Sequence, residues 1–431
     1  MAVIGRRRWL RMAMLAAACG VSGLSLGRTA RAQTRAGAHA KARVVIVGGG
    51  FAGSACALHL RRLDPTIDVT LIDPVERYVT CPMSNEVVVG VRDLASITVG
   101  RDGVRRAGVR LVREQVTGID ATARSVRLEG GRTLPFDRLV VAPGIRFLWN
   151  KIEGYDEAAT QAMPHAWQAG AQTQRLASQL RAMDDGGVVA ISVPSGLLRC
   201  PPAPYERASL MAQYLSRHKP RSKVLIFDAN NHFPRQDQFT DAWQSLYPGI
   251  IEWIPSSQDG AVVRVDTAGM SLHTSNGTHA VAVANVIPPQ APGQIAADAG
   301  LASDHGWCPI APGTFESQLV SRVHVIGDAC IADAMPKSAS AAHSQAAQCA
   351  RAIAALLAGH AVPPPTFDSV CYSMLGPERA LSIHGRFGTK DGRIVAVDSP
   401  SAAATPMAAG ARQARDAQRW YRDIRADSFA G

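Results

Sequence analysis

The chain has 431 residues, 47% hydrophobic and 19% charged, an ordinary globular composition with enough apolar matter for a large core spread over two or three domains. Its formal charge of +11 includes six arginines within residues 1–32, so the remainder carries about +5 (11 − 6), too little to argue for a polyanionic partner. The one basic cluster beyond them, Arg217 to Lys223, is short and lacks aromatic residues, which excludes a nucleic-acid surface and fits a solvated loop.

In chain order, Arg6-Arg7-Arg8-Trp9-Leu10-Arg11 precedes an uncharged, Ala-rich run from Met12 to Gly27 and then Ala30-Arg31-Ala32. A membrane anchor needs about 20 apolar residues, whereas this run is shorter, Gly- and Ser-containing, and ends in a small-residue cleavage pattern. Residues 1–32 are therefore expected to be a twin-arginine export signal, delivering an already folded protein to the periplasm. Residues 33–42 form a polar linker.

Arg43 to Val47 is a continuous apolar run of the kind that forms a buried parallel strand. It runs into Gly48-Gly49-Gly50-Phe51-Ala52-Gly53, followed by a helical stretch from Ser54 to Arg62 and a second strand, Asp68 to Ile72, ending at Asp73. Strand, G-x-G-x-x-G, helix, strand and an acid about 20 residues on make the dinucleotide fingerprint in its required context. Gly48 permits the tight turn, Gly50 lets the backbone approach a pyrophosphate, Gly53 allows close helix–strand contact, and Asp73 can accept from an adenosine ribose.

Two later segments decide the ligand. Val116 to Asp120 precedes a hairpin-like run, Ser125 to Leu134, and then a strand ending in Val141-Ala142-Pro143-Gly144. Far downstream lies Val323 to Ala329, with Gly327 and Asp328 after the apolar residues. The three motifs in this order resemble the glutathione-reductase-like flavoproteins. The resemblance implies FAD, with Val116, Ala142, Gly144, Gly327 and Asp328 as contacts. A second dinucleotide domain is expected between, and Gly187 to Ser192 reads as its first strand. The expected glycines are replaced by Val193-Pro194-Ser195-Gly196-Leu197-Leu198-Arg199-Cys200-Pro201-Pro202, which would not let a phosphate sit on a helix N-terminus. The strand Lys223 to Asp228 shows the architecture persisting, so this domain is read as having lost its nicotinamide nucleotide. After Pro363 to Pro365 comes a third region with strand-like pieces such as Arg393 to Val397.

Of eight cysteines, Cys19 falls within the signal, leaving Cys56, Cys81, Cys200, Cys308, Cys330, Cys349 and Cys371. Seven is odd, so in an oxidising compartment at least one is free, bonded to a partner, or bonded to something other than sulfur. No Cys/His cluster has metal-ligand spacing, and no C-x-x-C-H is present to attach a c-type haem, so no metal and no haem are expected on this chain.

Cys81 within Tyr78 to Glu86, Cys200 before Pro201-Pro202, and Cys371 together resemble the flavoprotein subunit family of flavocytochrome c sulfide dehydrogenase. The resemblance implies FAD held covalently through a thioether to Cys81, and a redox-active Cys200 to Cys371 disulfide that sulfide attacks. It also implies electrons passed to a separate c-type cytochrome subunit. Glu206, six residues after Cys200, is the acid/base expected for the sulfur species. Lys337, before a helix-like Ser338 to Ala355, can place positive charge near the flavin, and Trp420 can pack beside it. The remaining cysteines read as structural, Cys56 and Cys349 inside helices.

The expected fold is α/β, with two Rossmann-like dinucleotide-binding domains, the second degenerate, and a C-terminal α+β interface domain. FAD binding is assigned to 43–154 and 291–361, the degenerate domain to 155–290, and the interface domain to 362–431. Two alternatives stand. A sulfide:quinone oxidoreductase shares the sulfur chemistry but requires a membrane-binding C-terminus with an apolar face, against which the Arg and Asp of Ala411 to Asp427 argue. A non-catalytic assembly partner would have no chemical need for Cys81, Cys200 and Cys371 together.

Overall fold

Four of the five residues of Arg43–Val47 are β-branched and buried, so the strand forms between two neighbours rather than at an edge. It is the centre of an all-parallel five-stranded sheet ordered Val323–Val325, Arg138–Val141, Arg43–Val47, Asp68–Ile72, Arg110–Val112. The computed structural model describes residues 41–376, 378–398 and 407–430. The export signal and the linker up to residue 40 lie outside the described residues.

Register in this sheet decides where the motifs meet. Val47 pairs with Ile72 and Val141, and Val141 pairs with Val325. Because the strands are parallel, the residues that follow each of them, Gly48, Asp73, Ala142 to Gly144, and Gly327-Asp328, leave the sheet at one edge, where α/β folds bind ligands. The helix after the turn spans Phe51–Leu63 and buries nine residues against the sheet and the Ala339–Ala358 helix. The latter is N-capped by Ser338, whose side chain accepts from Ala341 N at 3.2 Å, and it ends at Gly359 in the left-handed region.

A second all-parallel sheet is ordered Ile251–Ile254, Lys223–Asp228, Val188–Val193, Val283–Val286. The long Ala203–His218 helix packs on it through Tyr205, Leu210, Met211 and Leu215. The third layer is antiparallel, Phe367–Gly376 beside Arg379–Lys390 beside Arg393–Asp398, covered by the Met407–Phe429 helix. The fold is thus α/β with two Rossmann-like sheets and a C-terminal α+β region. The run Ser125 to Leu134 forms two strands, Ser125–Leu128 and Thr133–Pro135, of a three-stranded meander that Val116–Asp120 begins.

Candidate functional site

One cavity of about 430 Å³ follows the sheet edge and passes between the three layers. At one end it is lined by Gly48, Gly50 and Asp73; in the middle by Ala142, Gly144, Gly327, Asp328 and Cys81. At the other end lie Cys200, Glu206, Cys371 and Trp420. Segments separated by up to 372 residues in the chain are brought together there (420 − 48).

At the fingerprint end, the helix begins at Phe51 with no side-chain cap and no acidic residue in its first turn, so its free N–H groups and dipole face the cavity. Gly48 has φ +95, and a Cβ there would lie 2.2 Å from Ala142 O; a Cβ on Gly53 would lie 1.8 Å from Gly48 O. Gly53 lies under the turn rather than on the cavity wall, so its role is the close helix–strand contact. A Cβ on Gly50 meets nothing closer than the Tyr78 hydroxyl at 3.6 Å and would project into open cavity. Asp73 is held by Gly49 N at 2.5 Å, Val75 N at 2.7 Å and Arg101 Nη2 at 3.2 Å. These features fit the diphosphate and ribose of an FAD.

The sulfur end is enclosed by charged and strained groups. Cys200 has φ +54, Met83 φ +68 and Ala166 φ +44, three non-glycine residues in the left-handed region that line the cavity. The Cys200 loop is held by its N–H donating to Lys337 O at 2.7 Å. Cys371 arrives from the Phe367–Gly376 strand, and both cysteines are free and half-buried, facing the cavity. Burial pushes the Cys200 thiol well above its ordinary range, and the neighbouring Cys371 and Glu206 add to this. Cys371 is raised by burial too, but the Ser338 and Ser369 hydroxyls favour its thiolate. Cys81 Sγ lies 3.8 Å from Trp167 O.

Glu206 accepts from Asn85 Nδ2 at 2.8 Å and from Met374 N at 2.9 Å, yet burial raises its carboxyl to about 7. Asn85 bridges it to Arg207, whose Nε donates to Asn85 Oδ1 at 2.9 Å. Arg207 is 2% exposed and donates also to Asn285 Oδ1 and to the carbonyls of His165 and Ala166. Burial lowers it to about 10, opposed by Glu206. Asp328 is raised by burial, against the pull of Arg199 and Lys337.

Two expected contacts fall elsewhere. Val116 is buried in the meander's packing against the main core and does not line the cavity. Lys337 points its Nζ at Asp328 O (2.7 Å) and Cys330 O (2.9 Å), 3.8 Å from the Trp307 ring centroid, behind the cavity wall. It braces the Asp328 turn from outside. Cys56 and Cys349 are buried on their helices, and Cys308 pairs with Cys330 across two short parallel strands. Sequence reading missed Arg101, Asn85, Arg199 and Arg207. Arg199 lines the cavity beside Cys200 and donates to Trp167 O. The available signal was position: Asn85 lies four residues after Cys81, and Arg199 and Arg207 adjoin Cys200 and Glu206.

Residues 173–288 match the family "Sulfide dehydrogenase [flavocytochrome c] flavoprotein chain, central", and residues 363–429 match "Flavocytochrome c sulphide dehydrogenase, flavin-binding". Residues 42–186 match the pyridine nucleotide-disulphide oxidoreductase family. The sulfide dehydrogenase [flavocytochrome c] flavoprotein chain of Chlorobaculum thiosulfatiphilum is 60% identical over 45 residues, 10% of this chain and 94% of that sequence. The mitochondrial sulfide:quinone oxidoreductase of Mus musculus is 21% identical over 316 residues, 70% of this chain and 68% of that one. The crystal structure of the sulfide:quinone oxidoreductase from Aquifex aeolicus superposes with a TM-score of 0.69 at 18% identity, covering 90% of this chain and 93% of that one, a likeness of fold. With two of its domains matched by the models of one family and its sequence shared with a member, the chain belongs to the flavoprotein-chain family of flavocytochrome c sulfide dehydrogenase.

Proposed function

We propose that this protein is exported folded to the periplasm and there oxidises sulfide through Cys200, Cys371 and FAD, passing electrons to a c-type cytochrome subunit. The observation that carries the reading is the meeting of Cys200, Cys371 and Glu206 in the same cavity as the dinucleotide-binding edge. A flavin bound along this cavity supplies a two-electron acceptor able to release electrons one at a time.

The protein's own groups set the order of events. With Cys200 and Cys371 joined as a disulfide, sulfide attacks the Cys200 sulfur: the Cys200–Cys371 bond breaks, a new S–S bond forms to the substrate sulfur, and Cys371 leaves as thiolate. That direction is favoured because the thiolate with hydroxyl donors, Ser338 and Ser369, is the better leaving group. Glu206 takes the substrate proton. A second sulfide removes the outer sulfur as a disulfane anion, leaving the Cys200 thiol. The two cysteines re-form their bond by giving up a proton and an electron pair, for which a flavin held in the cavity would be the acceptor.

Glu206 must be ionised to act as base, so turnover is expected to rise with pH through about 7. Glu206→Gln should remove that limb and slow turnover by about 10²–10³. Stability moves the opposite way. The carboxyl is raised from its ordinary 4.5 in the folded state, so its contribution is present at low pH and lost as pH rises through about 7. Melting curves from pH 4 to 8 should therefore show the glutamine variant gaining on the wild type by a few kcal/mol, as an order of magnitude.

Cys81 lines the cavity, which supports a thioether to the flavin. Denaturing mass spectrometry should find one FAD mass on the wild-type chain and none on Cys81→Ser; FAD released freely from the wild type would make Cys81 a packed thiol. The acceptor is tested by sulfide-dependent reduction of a c-type cytochrome against a short-chain quinone. One observation favours the cytochrome. The apolar stripe of the Met407–Phe429 helix, Ala414, Ala417, Tyr421 and Ile424, is buried against the protein's own core, so it does not offer the membrane-facing surface that a quinone-linked enzyme requires. Faster quinone reduction would overturn this choice.

A further inference from the structure

One side of the Met407–Phe429 helix carries arginines without aspartates, while Arg412 and Arg419 lie toward the aspartates, Arg419 3.9 Å from Asp416. Arg415, Arg422 and Arg425 recur at helical spacing with Gln418 and Tyr421, while Asp416, Asp423 and Asp427 fall on a different face. The arginine side faces Arg92 across an open groove of about 590 Å³. Arg92 and Arg425 flank Tyr421, with guanidinium carbons 5.7 and 5.8 Å from its ring centroid. Arg92 is tied to Glu86 at 2.7 Å, and Arg425 to Ser96 O at 2.8 Å. Arg415 and Arg422 are exposed, and among the described residues no carboxylate holds either one. Four arginines thus converge with one carboxylate, Glu86, set against them.

The floor of this groove is also the wall of the functional cavity. Tyr421 is buried, and its hydroxyl lies 2.8 Å from Thr80 Oγ1. It packs in an apolar cluster that Val79, Met83 and Trp420 join, and those three side chains line the large cavity on their other side. One layer of side chains therefore separates the site from a concentrated positive surface. A surface so placed is suited to steer and seat a negatively charged redox partner.

We propose that this arginine groove is the docking face for the protein that takes electrons from the site, and that this partner presents an acidic face to it. The inference rests on the reading that the acceptor is a separate redox protein. It adds the place of contact and the chemistry of the contacting surface.

The test uses the full-length, flavin-loaded protein, wild type and Arg415→Glu/Arg422→Glu, with a soluble c-type cytochrome bearing an acidic face as probe. Neither arginine supports a structural contact, and an Arg415→Gln/Arg422→Gln variant serves should charge reversal impair folding. At low ionic strength, kcat/KM for the cytochrome should fall about tenfold or more in the reversed variant and by a smaller factor in the glutamine variant. The wild type's loss of rate with added salt should flatten in both. Anaerobic flavin reduction by sulfide should be the same in all three. Failure of sulfide to reduce the wild-type flavin would overturn the functional reading itself. Normal reduction by sulfide with unchanged cytochrome kinetics and salt dependence would overturn the docking face alone. So would arginine-dependent binding to phosphatidylglycerol vesicles, or to inorganic phosphate, with cytochrome transfer unaffected.

Discussion

Cys200→Ser is expected to lower sulfide-dependent turnover by about three orders of magnitude or more, with flavin content and fold unchanged. Serine preserves the shape of the side chain and the left-handed backbone at φ +54, which the loop imposes through Cys200 N to Lys337 O and Ala203 N to Cys200 O. What it removes is the sulfur that can be attacked, since a hydroxyl forms no disulfide with Cys371 and no persulfide with sulfide. Cys371→Ser should be equally damaging overall, but by loss of the leaving thiolate that Ser338 and Ser369 favour. Stopped-flow absorbance and thiol titration measure both. A Cys200→Ser protein that still turned over sulfide at a tenth of the wild-type rate would remove this cysteine from the chemistry.

The second large effect is structural. In Gly53→Val the first side-chain carbon would sit 1.8 Å from Gly48 O, well inside any allowed contact, and the atom it strikes is backbone that cannot rotate away. The Phe51–Leu63 helix must then lift from the Arg43–Val47 strand, opening the core formed by Val44, Ile46, Ala57 and Leu58. A loss of about 3 kcal/mol or more is expected, roughly 4 °C in Tm for a chain of this size, together with loss of FAD. Gly50→Ala makes the control. Its Cβ meets only the end of the Tyr78 side chain, the hydroxyl at 3.6 Å and Cζ at 3.8 Å, so the protein should fold with Tm nearly unchanged and bind flavin less well. Calorimetry and flavin occupancy distinguish the two. Equal stability of Gly53→Val and wild type would contradict the packing.

The edge that gathers the cofactor motifs was legible in the sequence for a physical reason. Buried parallel strands are continuous apolar runs, so Arg43–Val47, Asp68–Ile72 and Lys223–Asp228 stand out with their boundaries. The turn after the first strand has glycines at positions fixed by sterics. Cys200, Glu206 and Cys371 were legible only through family resemblance, because nothing local connects residues 171 positions apart (371 − 200). The buried arginines were legible at most as neighbours of the cysteine and glutamate positions, not in what they bind. Arg207 finds Asn85 and Asn285, and Arg101 finds Gly49, Ser54 and Asp73; each pairing depends on tertiary structure that spacing does not encode. Lys337 stands near the Asp328 turn as expected, but the Asp328 and Cys330 carbonyls beneath it hold its ammonium outside the cavity. The Met407–Phe429 helix was obscure because its buried stripe leans on Ala414, Ala417 and Ser428, residues with little hydrophobic signal.

The proposed function requires that Cys200, Cys371 and Glu206 act on sulfide with a flavin bound in the same cavity, and that the second sheet no longer serve a nicotinamide nucleotide. Anaerobic stopped-flow mixing of the flavin-loaded protein with sulfide, and separately with NADH, tests it most directly. Sulfide should bleach the flavin within the turnover time in the wild type and not in Cys200→Ser, and NADH should bleach neither. Rapid bleaching by NADH together with no response to sulfide would contradict the account.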